Sequence, residues 1–534
     1  MKKRAGRVCR YALTMATIFS TINSAKPHLA IRFMAACAGL PSCAAWSSRF
    51  VAYLRRVGYG LAKLISLIKC AASQDSVWLL FNGVIKMKIK KDLQQQKQSS
   101  SIPEHNSSLS RRSFLQAIGV GAAWVATAHG AFAQNSDSTD STDSPANEQY
   151  LYVGTYSSPN TAPGGVIPSQ AEGIYVYKMN LETGNLSPVQ TVKADNPSYL
   201  AMAPSKRYIY CVNERGEDDE GAPLGRISAY EIDERSGRLS LINTRSTQGT
   251  WPCYCAVHPS GRYLFAANYG TGTFSVFPLS DDGEIEPMSD QFQASGNGSG
   301  PDPVRQEGPH AHMMLSNPGA QHVFGIDLGG DSILAWELEL ATGKLVPGPV
   351  PHAHVPSGSG CRHLVFHPDD NRAYVINELS STIDVFDFEP LRGAFIWLQS
   401  ISTLPQDTTF TRPSFNPNNP GEVPTGTNTT AAIRIHPSGR WVYATNRGMD
   451  SIAMFKVDPE SGKLTSAGWV QSQGQIPRGM NIEPSGTFLY VGNQNSDTIV
   501  VFRIKSDDGQ LEGPIHIIDS PVPVDFAFGS FARS

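Results

Sequence analysis

The sequence predicts an all-β protein, a seven-bladed β-propeller with four-stranded antiparallel blades. The first observation behind this prediction is a repeated phrase, whose two clearest copies, 431–464 and 480–511, match element for element. The second is the content of each copy, in which short β-branched and aromatic runs alternate with turn sequences. The third is that the array opens with an incomplete copy and ends with an orphan strand-like run at 522–528.

One copy of the phrase, 431–464, has the content of a single blade. Three apolar or alternating runs occur at 432–435, 441–444 and 452–457, and a weaker run follows at 468–471. Pro-Ser-Gly after the first run and Asp-Pro-Glu-Ser-Gly-Lys after the third are tight-turn sequences. The copy therefore predicts a four-stranded antiparallel meander.

The phrase occurs often enough to build a closed ring. Six copies carry a proline in their first turn, at Ala203-Pro204, His258-Pro259, Asn317-Pro318, His367-Pro368, His436-Pro437 and Glu483-Pro484. A seventh, partial copy opens the array at 150–186 without its first strand. Over residues 150–534 this amounts to about 55 residues per blade, which is usual for propellers. We therefore expect the C-terminal run 522–528 to complete the first blade and close the ring.

The segment before the repeats predicts an export signal at 87–133. The pair Arg111-Arg112 precedes a modest apolar stretch that ends in Ala-Phe-Ala at 131–133, which is the pattern of a twin-arginine (Tat) signal. We expect the Tat translocase to be a partner during export, with cleavage after about Ala133, a periplasmic location and no stable membrane insertion afterwards. The alternative is a single membrane helix.

Residues on either side of the signal are not expected to fold. Export signals stand at the start of a chain, and Met87 opens a basic leader, so residues 1–86 are predicted to be an upstream start-site artefact or a disordered extension. Residues 134–149 are rich in Ser and Asp and predict a disordered linker. The propeller is expected to occupy 150–534.

Composition argues against several classes of function. The net charge of −3, without a long basic stripe, argues against nucleic acid as a partner. Eight cysteines are present, four of them before the export signal, and no CxxC or CxxCH sequence occurs, which argues against a zinc ribbon and attached haem. No disulfide is expected, because a Tat substrate folds in the reducing cytoplasm before export. No metal or cofactor is expected, and the candidate cleft lacks the acidic cluster that a hard cation needs.

Blade topology separates scaffold residues from candidate site residues. The first and third turns of every blade lie on one face of the disc, so His258, His367 and His436, which precede the first-turn proline, are interpreted as structural. The connections between strands two and three, and those between blades, lie on the opposite face. In five of the former an Asn recurs, which suggests a turn-forming role, and the next residue changes from Glu to Tyr, Glu, Arg and Gln. A scaffold position has little reason to vary so sharply in charge, so this opposite face is the predicted site.

Two sets of residues at this face are predicted to act on a small molecule. Arginines bind anionic oxygens in bidentate fashion, and a His or Glu nearby can activate water. The predicted catalytic residues are His310, His312, Arg362, Glu378 and Arg447. The predicted substrate-binding residues are Arg305, Arg478, Asn268, Tyr269, Asn493 and Gln494.

Motifs at this face also carry a resemblance to a known family. They are Val153-Gly154-Thr155-Tyr156, Asn268-Tyr269-Gly270, Gln306-x-x-Pro309-His310-x-His312, Arg362-His363, Asn377-Glu378-Leu379, Asn446-Arg447-Gly448 and Asn493-Gln494-Asn495-Ser496. Over nearly all of 150–534 the chain resembles the propeller lactonases, typified by the bacterial propeller-type 6-phosphogluconolactonase and related to the fungal carboxy-muconate cyclase. The resemblance implies a seven-bladed propeller with a catalytic set of His310 or His312, Arg362, Glu378 and Arg447.

The sequence departs from that family pattern at four places. Cys361 stands where a Pro is usual, Ala432 where an acidic residue is common, and Met449 where a His is frequent. The inter-blade segment 405–430 is longer than expected. We expect this segment to lie on the site face, where a lid-like role would alter which substrate fits.

Together these observations predict a hydrolase that opens a sugar-acid lactone, such as gluconolactone or its 6-phospho form. Glu378, or a histidine that it orients, is expected to take a proton from water. An Arg or imidazolium would stabilise the oxyanion, and His310 or His312 would protonate the departing ring oxygen. Two alternatives stay open: a non-catalytic propeller that binds a protein or glycan, and a lactonising cyclase that runs similar chemistry in reverse.

Overall fold

The structure, a computed structural model, describes residues 148–157, 170–296, 298, 300, 302–416 and 422–531. The predicted extension at 1–86 and the export signal at 87–133 lie outside these residues, as does all but the last part of the linker at 134–149. Within the described part of the chain, no helix is long and apolar enough to cross a membrane.

The described residues form 28 strands. In chain order they are β1 (Glu148–Thr155), β2 (Gly173–Met179), β3 (Leu186–Lys193), β4 (Tyr199–Met202), β5 (Tyr208–Asn213), β6 (Arg226–Ile232), β7 (Leu239–Ser246), β8 (Pro252–Val257), β9 (Tyr263–Asn268), β10 (Thr273–Pro278), β11 (Asp290–Gln293), β12 (Ala311–Ser316), β13 (Val323–Asp327), β14 (Ser332–Glu339), β15 (Lys344–His354), β16 (Cys361–Phe366), β17 (Arg372–Asn377), β18 (Thr382–Glu389), β19 (Ala394–Ser402), β20 (Thr429–Ile435), β21 (Trp441–Arg447), β22 (Ser451–Val457), β23 (Leu464–Gln471), β24 (Pro477–Ile482), β25 (Phe488–Asn493), β26 (Thr498–Ile504), β27 (Leu511–Asp519) and β28 (Pro523–Phe531).

These strands pair into seven four-stranded antiparallel sheets, so the predicted fold is confirmed. Blade 1 has the order β28-β1-β2-β3, and blades 2 to 7 take the remaining strands four at a time in chain order, from β4–β7 to β24–β27. The innermost strands β28, β4, β8, β12, β16, β20 and β24 contact one another around the ring. The C-terminal strand completes blade 1 as predicted, with Leu151 on β1 opposite Phe528 on β28.

Burial follows the position of each strand in its blade. Every residue of the second strands β5, β9 and β25 is buried, because sheets of neighbouring blades pack on both faces. The outermost strands β3, β7 and β23 keep an exposed side that is mostly polar, with the exposed Leu241 on β7 as an exception. The core therefore lies between the blades, where the β-branched and aromatic runs meet.

A repeated tyrosine hydrogen bond joins neighbouring blades. The phenol of a second-strand tyrosine donates, over 2.7–3.2 Å, to a glycine carbonyl in an outer turn of the next blade. The pairs are Tyr152–Gly237, Tyr210–Gly283, Tyr374–Gly462, Tyr443–Gly509 and Tyr490–Gly184. Gly509 has φ 74°, and a Cβ there would come within 2.4 Å of the Trp441 ring. The turn glycine is therefore required both by its backbone conformation and by close packing.

The first-turn histidines also serve the scaffold, as predicted. The Nε2 atoms of His367 and His436 contact the carbonyl oxygens of Gly439 and Gly486 in the next blade, at 3.1 and 3.0 Å. His258 has its Nδ1 2.8 Å from a serine hydroxyl two residues along the chain. The contacts of His367 and His436 tie the turns of adjacent blades together, and that of His258 stabilises its own turn, on the face opposite the predicted site.

Candidate active site

Two structurally equivalent sets of residues surround the channel mouth. The first set follows, or lies at, the end of the second strand of each blade. Its members in blades 1 to 7 are Tyr156, Glu214, Tyr269, Leu328, Glu378, Arg447 and Gln494. The repeat therefore brings side chains of different chemistry to the same place in every blade.

The second set is produced by β-bulges at the start of the innermost strands. Pairing with the second strand shifts register in β8, β12, β16, β20 and β24. The residues bypassed by the ladder are Cys253, His312, Arg362, Ala431 with Ala432, and Arg478. A bulge re-aims the bypassed residue away from the regular pleat. Three of the predicted site residues occupy these positions.

Glu378 lies at the centre of the site and binds three arginines. Its Oε1 accepts from Arg305 Nη2 at 2.6 Å, and its Oε2 accepts from Arg362 Nε at 2.9 Å. Arg447 Nη2 lies 3.2 Å from the same Oε2. The Glu378 side chain is only 2% exposed. The structure thus brings four of the predicted site residues together, namely Glu378 and the three arginines around its carboxylate.

The charges of this cluster are strongly coupled. Burial alone would raise the pKa of Glu378, but Arg305, Arg447 and Arg362 outweigh it and hold the pKa well below its ordinary range. Burial, together with the neighbouring arginines, lowers the pKa of Arg447 to about 9. Glu378 is therefore ionised at neutral pH and poorly suited to accept a proton, because the arginines stabilise its charged form.

Arg305 is enclosed rather than open to a ligand. Its Nε donates to Tyr269 Oη at 2.7 Å, and its guanidinium lies 5.5 Å from the Tyr269 ring centre and 4.8 Å from that of Phe415. Phe415 belongs to the long segment 405–430, which reaches the site face as expected. These contacts make Arg305 a support for Glu378 beneath an aromatic cover, and the substrate-binding role predicted for Arg305 stays a prediction.

The two predicted histidines differ in their contacts. His310 stacks on Tyr269 at 4.3 Å between ring centres, and its ring nitrogens lie 3.0 Å from the Tyr269 carbonyl and 2.9 Å from Glu307 Oε1. His312 has Nδ1 3.7 Å from Cys253 Sγ. Burial, and next to it the charge of Arg362, holds the pKa of His312 well below its ordinary value. His312 is therefore neutral at physiological pH, and its ring is less committed to protein partners than that of His310.

A second buried carboxylate, Glu214, lies at the same mouth. Tyr156 Oη donates to both of its oxygens at 3.0 Å, and Ser198 Oγ donates to Oε2. The guanidinium of Arg478 lies over the Tyr156 ring, 5.2 Å from its centre. Among the residues that the structure describes, the Arg478 side chain has no hydrogen-bond partner, so its donors are available to a ligand.

The predicted asparagines have scaffold contacts instead. Asn268 and Asn493 are fully buried. The amide of Asn268 donates to Thr273 Oγ1 at 2.9 Å, and that of Asn493 donates to the Ser472 carbonyl at 3.0 Å. We assign both to the turn-forming role that the recurrent Asn suggested, not to substrate binding. Gln494 keeps its place at the mouth, where its amide donates to Asn495 at 3.1 Å.

An aromatic and ionic layer lies next to the site along the innermost strands. The His363 ring centre is 5.4 Å from that of Tyr254 and 5.7 Å from that of Tyr199. Arg434 Nη2 donates to Tyr199 Oη at 3.4 Å and lies 3.7 Å from Asp525 Oδ1. Burial, reinforced by Arg362, holds the pKa of His363 well below its ordinary value. The layer therefore supports the site with neutral rings and one buried ion pair.

Several residues at the site were absent from the predicted set. Tyr156 and Glu214 occupy the variable position at the strand ends, so the signal that singled out Glu378 could have found them. Cys253 and Ser198 could not be recognised, because neither bulge register nor strand start is visible in the sequence. Phe415 reaches the site through a long loop, which no local pattern predicts.

The described part of the chain contains four buried thiols. Cys211, Cys253, Cys255 and Cys361 are buried free thiols. Burial raises the pKa of the Cys253 thiol well above its ordinary value. In the described part of the chain, no group of three or more His, Cys, Asp or Glu side chains is arranged to hold a metal ion.

Comparison with known proteins identifies the family. Residues 150–528 match the family model described as "Lactonase, 7-bladed beta-propeller". The 6-phosphogluconolactonase of Bacillus subtilis (strain 168) is 34% identical over 329 residues, which are 61% of this chain and 83% of that protein. A 6-phosphogluconolactonase of Formosa agariphila is 31% identical over 314 residues, 57% of this chain and 81% of its own. The solved structure of a periplasmic gluconolactonase from Pseudomonas aeruginosa matches with a TM-score of 0.63 at 32% identity, over 72% of this chain and 99% of that one.

The family model covers the described propeller from β1 into the closing strand β28. The chain belongs to the lactonase family of seven-bladed β-propellers.

Proposed function

We propose that the protein is a hydrolase that opens a sugar-acid lactone at the channel mouth. The observation that carries the proposal is the concentration of four guanidinium groups around two buried carboxylates, Glu214 and Glu378. Opening a lactone with water creates a negatively charged tetrahedral centre, and fixed positive groups in a buried site stabilise such charge. Family membership supports the same class of reaction.

Arg447 and Arg478 are the arginines suited to stabilise the oxyanion. Arg447 is 5% exposed, and its Nη2 is held by Glu378 and by the Thr430 carbonyl at 2.6 Å, which fixes its positive charge beside the site. Arg478 lies over Tyr156 without a hydrogen-bond partner among the described residues. Positive groups that are already in place need little rearrangement on meeting the transition state, and each such donor is worth roughly a hundredfold or more in rate.

Glu378 serves this reaction by holding arginines in place. Its two oxygens contact Arg305, Arg362 and Arg447, and its lowered pKa makes proton transfer from water unfavourable. The proton-accepting role that the sequence suggested for Glu378 is therefore replaced by a positioning role. A carboxylate shared by several guanidinium groups keeps them together against their mutual repulsion.

His312 is the better placed of the two histidines to meet the substrate. Its ring is neutral because burial and Arg362 lower its pKa, so it can donate one hydrogen bond and accept another. His310 is held by Tyr269 and Glu307 on both ring nitrogens. We assign His312 to a hydrogen bond with the lactone ring oxygen and His310 to support of the Tyr269 side of the site.

The direct test is lactone opening by the purified protein. Proton release would be followed in weakly buffered solution with glucono-δ-lactone and with its 6-phospho form, the substrates suggested by the names of the relatives. We expect a rate above spontaneous opening with at least one of them, and loss of that rate in Glu378→Gln. A well-folded protein that accelerates neither lactone contradicts the proposal.

Two further measurements separate the alternative functions. A lactonising cyclase would consume an unsaturated diacid, which is followed by loss of its ultraviolet absorbance, and we expect no such loss. A non-catalytic binding module would bind a sugar acid without any turnover of the lactone. Turnover therefore distinguishes the hydrolase from both.

We also propose that the protein reaches the periplasm through the Tat translocase. The twin arginines Arg111-Arg112, the modest apolar stretch and the cleavage sequence before about Ala133 support this, and the similar gluconolactonase of Pseudomonas aeruginosa is described as periplasmic. Replacing both arginines by Lys is expected to retain the uncleaved chain in the cytoplasm. Unchanged release of the protein by osmotic shock would contradict Tat export.

A further inference from the structure

The channel mouth contains two buried carboxylates in opposite surroundings. Glu378 is held by three guanidinium groups. Glu214 instead accepts hydrogen bonds from two hydroxyls, those of Tyr156 and Ser198, and forms no ion pair within the described part of the chain. Both side chains are nearly inaccessible, since Glu214 is 1% and Glu378 2% exposed. When two acids in one site differ in this way, they usually divide the acid–base roles.

Both carboxylates occupy the same structural position. Glu214 follows Asn213 at the end of β5, and Glu378 follows Asn377 at the end of β17. The backbone N–H of each donates to a carbonyl of the segment that enters the same blade, Asn196 at 3.0 Å for Glu214 and Gly360 at 2.7 Å for Glu378. Blades 2 and 5 are three apart in a ring of seven. The two carboxylates therefore lie at the same end of the channel, on nearly opposite sides of its mouth.

Shared neighbours place both carboxylates in a single site. Arg362 contacts Glu378 directly and also acts electrostatically on Glu214. Arg478 acts on both carboxylates. Cys253, at the bulge of β8, lies close enough to feel the charges of both carboxylates. A lactone held by Arg478 would thus be within the surroundings of Glu214 and Glu378 together.

We infer that Glu214 is the catalytic carboxylate that exchanges a proton with the attacking water and with the ring oxygen of the lactone. The inference rests on the proposed lactone hydrolysis and refines it. An O–H bond of water breaks and its proton passes to Glu214, while the water oxygen bonds to the lactone carbonyl carbon. When the tetrahedral centre collapses, the bond from this carbon to the ring oxygen breaks. Glu214 then returns the proton to that oxygen, which becomes a hydroxyl, and the new carboxylic acid loses its own proton to solvent.

The electrostatic surroundings of Glu214 favour this role. Burial raises the pKa of Glu214, and the groups that face it offset this effect only in part. Those groups are Arg478 on β24, Arg362 on β16, Tyr156 after β1 and Ser198 before β4, with the Cys253 thiol on β8 nearby. A carboxylate with a raised pKa is a stronger base than Glu378, whose charge the arginines stabilise. Because Glu214 must be ionised to accept a proton, the rate should fall as the pH drops through its raised pKa.

The decisive experiment is the pH dependence of kcat in the full-length protein and its Ser198→Ala and Glu214→Gln variants. Measurements would run from about pH 4 to 7.5, with spontaneous opening subtracted, on whichever lactone the wild type opens. Ser198→Ala removes a hydrogen bond that stabilises the ionised form of Glu214. The acid limb of its profile should therefore move by about one unit to higher pH. Glu214→Gln should lose the acid limb and at least about a hundredfold in kcat.

Each outcome has a distinct meaning. An acid limb that stays in place in Ser198→Ala, or a Glu214→Gln enzyme that keeps both its limb and its rate, overturns the role of Glu214 and leaves lactone hydrolysis standing. A wild type that opens neither lactone overturns the proposed function and this inference together. Thermal melts would confirm that both variants fold, and Ser198→Ala keeps the inference testable even if Glu214→Gln does not.

Discussion

Replacing Glu378 by Gln removes the charge that Arg305, Arg362 and Arg447 share. Removing one partner of a buried ion pair costs about 3–5 kcal/mol, because the remaining charges stay buried without compensation. With an unfolding entropy of about 2.1 cal/mol/K per residue over roughly 380 residues, this corresponds to a fall in Tm of about 4–6 °C. Thermal unfolding at pH 7, followed by circular dichroism, measures the shift.

A surface pair provides the matched control. Arg392 Nη1 forms an ion pair with Glu389 Oε2 at 3.1 Å, and the side chains of Glu389 and Arg392 are 39% and 64% exposed. Such a pair contributes about 0–1 kcal/mol, so Glu389→Gln should shift Tm by about 1 °C or less. Equal shifts for Glu378→Gln and Glu389→Gln would refute the reasoning, since they would mean that the buried arginines do not depend on the carboxylate.

The difference in Tm between the wild type and Glu378→Gln should also depend on pH. The pKa of Glu378 is lowered in the folded state, so its contribution to stability is present above the ordinary pKa of a glutamate. That contribution is lost as the pH falls through the lowered folded-state pKa. The difference in Tm between wild type and Glu378→Gln should therefore shrink on acidification below about pH 4. A difference that grows towards acid pH would contradict this assignment of charge.

Three further predictions concern single side chains. Arg478→Met should keep Tm within about 2 °C but lower kcat/KM by roughly a hundredfold, because an oxyanion donor is lost; steady-state rates near those of the wild type would count against it. Burial raises the pKa of Asp525 to about 6. Above that pH the ionised Asp525 lowers the free energy of unfolding by roughly 3 kcal/mol, and below its ordinary pKa it has no such effect. Asp525→Asn should therefore gain in Tm relative to wild type between about pH 4 and 7, and a pH-independent difference would contradict this. Phe415→Ala should uncover Arg305 and raise several-fold the ratio of kcat/KM for the phosphorylated lactone to that for the unphosphorylated lactone. An unchanged ratio would mean that Phe415 only packs the loop.

The ring could be predicted from the sequence because each blade repeats the same local signals. Turn prolines and glycines, β-branched runs and a closing strand at 522–528 all agree with one topology. The position after the recurrent asparagine was also informative, because Glu378 and Arg447 differ in charge at equivalent places where a scaffold residue would not. The recurrent asparagine itself has the turn contacts suggested for it, as the amide of Asn268 shows.

The remaining site residues depend on contacts between distant parts of the chain. Cys253 is presented by a bulge, and a bulge is a property of two paired strands rather than of one sequence. Phe415 covers Arg305 across two inter-blade connections, which no local pattern encodes. The division of roles between Glu214 and Glu378 follows from which side chains surround each carboxylate in the folded ring. Sequence reasoning could therefore collect most of the charged groups of the site but not assign their roles.

The most direct test of the central claim, that lactone opening occurs at the channel mouth, compares Arg447→Met with Arg440→Met. Arg447 is the last residue of β21, and Arg440 immediately precedes the first, so the two arginines lie at opposite ends of one strand. Arg440 is exposed and donates to the carbonyls of residues 506 and 507. We predict that kcat/KM for the preferred lactone falls about a hundredfold or more in Arg447→Met and stays within about twofold of wild type in Arg440→Met. Equal values in two folded variants would contradict the placement of the active site.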